Sequence, residues 1–276
     1  MIYPAGIHFA VAQIIGSLAL WLLVQRSGKG MDVYYQNAIL LTGITGLVTM
    51  LPAWYFYRRD RVRRVAGGLV PQDSGGRVEG DSVLQDSRNR LSLKEGVLLL
   101  GMGAGFALYA NFLMGILQIF FNSTVYQESM ERITQGQSFE WMVLWMGIVA
   151  PIAEEMIFRW LIFLRLRDYM RLAGAAVISG VTFGIYHGNL LQAVYAGILG
   201  ILFAYILEMS GSLLSSVLLH IGANVWSLVL SEYGVFILVS SGTVTLLVIY
   251  VVLLVVMIAG LCYFAAKGRR RNTRLV

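Results

Sequence analysis

Ala150-Pro151-Ile152-Ala153-Glu154-Glu155-Met156-Ile157-Phe158-Arg159-Trp160 sets three charged side chains within six residues, in the middle of a run (about 141–164) that is otherwise apolar enough to cross a bilayer. The rest of the chain argues against a soluble core helix. Of its 276 residues 58% are hydrophobic and only 13% charged, with four prolines and a mean hydropathy of +0.71, the composition of a polytopic membrane protein. A charged side chain at the bilayer centre costs roughly 2.5–3.5 kcal/mol even on the lenient insertion scale. Glu154, Glu155 and Arg159 therefore need partners or a use.

Working outward, apolar runs of spanning length recur at about 5–25, 37–57, 96–121, 172–187, 190–208, 212–230 and 236–266. Together with 141–164 they predict an all-α, polytopic integral membrane protein of about eight transmembrane helices around an intramembrane polar site. No Lys or Arg precedes Arg26 and no small-residue cleavage site follows the first run, which predicts a retained span. Residues 58–95, rich in Gly, Asp, Ser and Arg, read as a flexible loop. At its end Ser92-Leu-Lys-Glu95 has the spacing of a capping box that starts the third span. The expected segments are thus N-terminal helices over 1–57, the loop 58–95, a third helix with an external loop over 96–139, a core over 140–230, and a last helix with a basic tail over 231–276.

Eight spans put both termini on one side, and basic residues choose which. Seventeen of the 21 Lys and Arg residues fall in 58–95, in 165–171 and from Lys267 onward, which predicts a cytoplasmic face carrying both termini in a cell membrane. The net charge of +6 is read as this topology signal, with the lipid bilayer and not nucleic acid as the partner. A single cysteine, Cys262, excludes an intrachain disulfide and a thiolate metal site. Asn122-Ser-Thr matches a glycosylation acceptor only as a pattern common by chance. Gly101-x-x-x-Gly105 and Gly180-x-x-x-Gly184 predict close helix contacts.

Few ionisable groups lie at depth: Glu154, Glu155, Arg159, His187 and His220, with Asn224 as a neutral companion and His8 near the start of the first span. Glu155 and Arg159 are four apart and can pair on one helix face, whereas Glu154 points about 100° away. A packing ion pair is the plain reading of the first two; Glu154 is left over and should face a polar cavity. His187, four after Phe183 and just before Gly188-Asn189, and the pair His220 and Asn224 could each be a packed core group. Counting from the basic ends at about 1.5 Å per residue puts the three segments near mid-bilayer but not level. Tilt, a fifth helix ending at Gly188, or a break of the fourth span at Pro151 would absorb the spread. Carboxylate, imidazole and amide groups together are what water-driven amide hydrolysis needs, a base for the water and donors for the oxyanion. A divalent metal such as zinc on Glu154, His187 and His220 is compatible too, as is metal-free, glutamate-activated water.

Glu-Glu-x-x-x-Arg, then Phe-x-x-x-His, then His-x-x-x-Asn, in this order on successive membrane helices, resembles the CAAX protease and bacteriocin-processing family of intramembrane endopeptidases, also called the Abi family. The resemblance covers about residues 140–230. It implies a peptide hydrolase acting on a peptide or membrane-protein substrate, with Glu154 as general base, His187 as its partner on the water, and His220 and Asn224 as oxyanion donors. Glu155 and Arg159 would be supporting residues. Two other readings of the same groups stay open: a proton-coupled transporter, in which they form a relay, and a noncatalytic membrane scaffold or immunity protein.

Overall fold

The structure is a computed structural model that describes residues 2–27, 30–66, 91–121 and 125–272. Its elements are helices: α1 (Tyr3–Ser27), α2 (Gly30–Gln36), α3 (Ala38–Ala66), α4 (Leu93–Phe121), α5 (Val125–Thr134), α6 (Phe139–Arg167), α7 (Leu172–Tyr186), α8 (Leu190–Ser210) and α9 (Leu213–Asn272). Six of them, α1, α3, α4, α6, α8 and α9, are long and apolar enough to cross a membrane. The chain is an all-α integral membrane protein.

At 60 residues α9 is about three times the length a bilayer requires, and its helix is interrupted at Gly242 (φ 74°, ψ 170°). That φ is left-handed territory open to glycine without a steric penalty. The two limbs run in opposite directions along α4. Leu218 lies against Gly96 and Ser227 accepts from Asn111 Nδ2 (3.3 Å), so the first limb ascends with α4. Tyr109 donates to the Tyr250 carbonyl (3.0 Å) and Tyr263 to Glu95 (2.9 Å), so the second descends. Gly242 is thus the bend of a hairpin, and the two expected runs 212–230 and 236–266 are two spans. With α7, a shorter apolar helix of 15 residues, and α9 taken as two limbs, the described residues hold eight apolar helical segments.

α7 and α8 form a second hairpin. Added Cβ atoms at Gly180 and Gly184 would run into the backbone of Gly197 and Ala193, so both glycines sit where the two helices touch. α7 stops at Tyr186, Gly188 takes φ 69°, and the Asn189 side chain caps α8 by accepting from the Leu191 and Gln192 amides. Gly101 and Gly105 lie against Val256 and Leu253 in the second limb of α9. Packing is the role of both small-residue motifs.

One face of the assembly collects ion pairs. Arg64 binds Asp168 (3.0 Å), Arg165 binds Asp60, Arg167 binds Glu208 (2.8 Å) and Lys267 binds Glu95, while the Arg165 guanidinium lies 4.8 Å from the Tyr3 ring. These contacts tie the start of α1, the end of α3, the start of α4 and the ends of α6, α8 and α9 to the same level. They also explain why α3 runs on to Ala66, well into the stretch expected to be loop: Asp60 finds a partner on α6 and Arg64 in the turn that follows it. Residues 67–90 of that stretch, and Asn122-Ser-Thr, lie outside the described residues. The capping box forms as the spacing predicts, Ser92 N–H to Glu95 Oε2 at 2.9 Å and Glu95 N–H to Ser92 Oγ at 3.3 Å.

Candidate functional site

α6 carries the Glu-Glu-x-x-x-Arg motif, and its winding is uneven. Val143–Val149 and Met156–Phe163 are π-helical, with α-helical turns between and beyond them. Pro151 does not break the span, as the sequence allowed; the helix continues through it. The cost appears one carbonyl away. Ala150 N–H bonds to the Trp145 carbonyl, the five-residue step of a π-helix, so the next donor in the series is residue 151, and proline has none. The Met146 carbonyl is left without its helical partner, and Asn224 Nδ2 reaches across from α9 to donate to it at 2.9 Å. Asn224 thereby fastens α9 to the turn that precedes the glutamates.

Glu155, Arg159 and His220 are buried, each under 5% exposed. Arg159 lies 3.3 Å from Glu155 Oε1, the four-residue pair expected from spacing. Its guanidinium carbon lies over the Phe183 ring (4.5 Å) on α7 and over the Phe203 ring (5.2 Å) on α8, two cation–π contacts that help compensate a charge held out of water. His220 Nδ1 meets the same Glu155 oxygen at 3.0 Å; since a carboxylate accepts, Nδ1 carries the hydrogen. The far side of that ring, Nε2, faces Glu154 Oε2 at 3.6 Å. His220 is therefore held by one glutamate and presented to the other, two groups 65 positions away in sequence joined through the α6–α9 contact.

Glu154 is only half-buried and lines a cavity of about 470 Å³, within the range of small-ligand sites. Opposite it stand His8 and Tyr186, residues that the motif pattern did not single out for this cavity. The His8 ring lies 5.1 Å from that of Tyr186. Its Nδ1 is 2.9 Å from Thr49 Oγ1, whose own hydrogen goes to the Thr45 carbonyl (2.8 Å), so His8 is the donor and its Nε2 is the bare nitrogen. The only sequence signal was a histidine and a threonine in otherwise apolar spans, which carries no pairing information.

His187 stands apart from this cluster. It lies at the end of α7, with Nδ1 donating to the Phe183 carbonyl (2.8 Å) and its ring edge-on to Phe183 (4.7 Å). Phe183 also lies 5.6 Å from His220, so one aromatic ring bridges the two histidines and covers Arg159. Among the described residues His187 makes no hydrogen bond to Glu154 or His220, and no three His, Cys, Asp or Glu side chains are grouped as a metal site. The structure thus brings together Glu154, Glu155, Arg159 and His220, ties Asn224 to the helix just before them, and sets His187 behind Phe183.

Residues 136–226, a third of the chain, match the family model described as Type II CAAX prenyl endopeptidase Rce1-like. The match spans α6, α7, α8 and the start of α9, the elements that carry the three motifs, and it bears out the resemblance read from them. It supports a protease of the intramembrane CAAX type with a peptide or protein substrate. No curated protein and no solved structure matches the chain.

Proposed function

We propose that the chain is an intramembrane endopeptidase in which Glu154 activates water for attack on a peptide bond of a membrane-associated substrate. The observation that supports this best is the placement of one carboxylate at a cavity wall, 3.6 Å from the Nε2 of a histidine whose opposite nitrogen is held by Glu155. Glu154 takes a proton from water as its oxygen attacks the carbonyl carbon, then gives that proton to the leaving amine as the C–N bond breaks. His220 stabilises the oxyanion as an Nε2–H donor, with Glu155 fixing the ring. In that protonation state the charges of Glu154, Glu155, Arg159 and His220 sum to zero, which is what a low-dielectric site demands. Asn224 has a second Nδ2 hydrogen beyond the one used on Met146 and can add to the same donor set. His187 shapes the site through Phe183 and offers its Nε2 as a further acceptor. Among the described residues Glu154, His187 and His220 are not grouped as a metal site, and in this reading Glu154 itself activates the water.

We place the ion-paired, arginine-rich face in the cytoplasm, with both termini on that side.

The test is cleavage of a farnesylated Cys-aliphatic-aliphatic-X peptide and of a single-span membrane peptide by the purified full-length protein in lipid nanodiscs, read by mass spectrometry. Glu154→Gln is expected to lower the rate by roughly 10²–10⁴-fold, the usual worth of a general base. Undiminished cleavage by that variant, with the wild type active, would remove the assignment.

A further inference from the structure

The cavity over Glu154 is asymmetric along the membrane normal. Its walls rise from Glu154 and His8 through Thr42 and Ser17 to Tyr34 and Ile133. Tyr34 belongs to α2 and Ile133 to α5, the two short helices that connect spans at the level farthest from the arginine-rich face. α1 starts at that basic face, beside Arg165, and α3 ends there, so Ser17 and Thr42 lie on the distant halves of their helices. Toward the basic face the cavity is closed. Ala53, Tyr57, Met156, Ile157 and Leu161 pack there, each buried. A recess lined by His8, Thr49, Ile157 and Leu161 has only about 10 Å³, at or below what one water needs. Glu154 is the one charged side chain lining the cavity among the described residues, and the wall also offers the Gln13 amide and, farther up, the hydroxyls of Ser17, Thr42 and Tyr34, groups suited to uncharged backbone.

From this geometry we infer that the site is reached from the outer face of the membrane, so that the peptide segment it takes is presented outside the cytoplasm. The use of the cavity rests on the endopeptidase reading; the side from which it is reached does not. A basic face is cytoplasmic by the distribution of Lys and Arg, and the closed floor lies on that side. Substrate emerging in the cytoplasm would meet these packed side chains before it met Glu154.

Cysteine accessibility in the full-length protein tests the direction without needing turnover. In a Cys262→Ser background, Ser17→Cys and Thr42→Cys report on the cavity wall and Arg171→Cys on the basic face. With a charged, membrane-impermeant methanethiosulfonate, both wall cysteines are expected to react in intact cells, and Arg171→Cys only in inside-out vesicles. Reaction of the wall cysteines only in inside-out vesicles would overturn the inference. So would reaction with a membrane-permeant maleimide alone, which would mean an opening to lipid. Adding Glu154→Gln should leave the labelling pattern unchanged. Outer-face labelling of a protein that never cleaves would sink the protease reading while leaving the direction intact.

Discussion

Arg159 is the residue on which the buried cluster turns. It is fully buried, offsets two glutamates, and makes cation–π contacts with Phe183 and Phe203. Removing one partner of a buried ion pair strands the other, a loss of about 3–5 kcal/mol. Arg159→Met should therefore lower the thermal midpoint of the purified protein sharply. Arg159→Lys should recover only part of it, because a compact ammonium cannot spread over aromatic rings as a planar guanidinium does. Equal stability of the lysine variant and the wild type would contradict a stabilising role for the ring contacts. The Glu155–Arg159 pairing was legible in the sequence because both lie on one helix, where spacing fixes proximity. His220 on Glu155 was not, since nothing in a linear pattern says which faces of α6 and α9 meet.

At the scale of elements, α6 is shaped by the proline that it contains without breaking. If Asn224 supplies the hydrogen that Pro151 lacks, the two positions are coupled. Asn224→Ala should cost about 1 kcal/mol of stability by leaving a part-buried carbonyl unpaired. In a Pro151→Ala background the restored backbone N–H competes for Met146, and the same substitution should cost clearly less. A double-mutant cycle by thermal melting measures the difference, and strict additivity would mean that the carbonyl is not shared. The sequence reading weighed Pro151 as a helix break; the π-winding around it and the reach of Asn224 keep the span continuous. The turn after α7 was readable in advance, because Gly188 and Asn189 are residues that leave and start helices for local steric reasons.

The whole molecule is a stack of hairpins between an ion-paired face and an opposite face built from α2, α5 and the bend at Gly242. Reporter fusions check its placement in the membrane. A fluorescent protein after Val276 should fold and fluoresce, and alkaline phosphatase inserted between Gln135 and Ser138 should be active, whereas the reverse pair of results would invert the orientation. The apolar segments are countable from composition because bilayer thickness imposes a length of apolar chain whatever its neighbours do, whereas α7, at 15 residues, is shorter than that length.

What the sequence determined by itself follows from constraints that act locally: apolar length sets the spans, clustered arginines set a face, helical spacing pairs Glu155 with Arg159, and turn residues end α7. What only the tertiary structure decided are contacts between residues far apart in the chain. His220 is clamped between two glutamates, Phe183 lies over Arg159 and touches both His187 and His220, and His8 is brought to the cavity that Glu154 lines. Helices buried on several sides carry apolar residues all round, so their pattern does not reveal which neighbour each face will find.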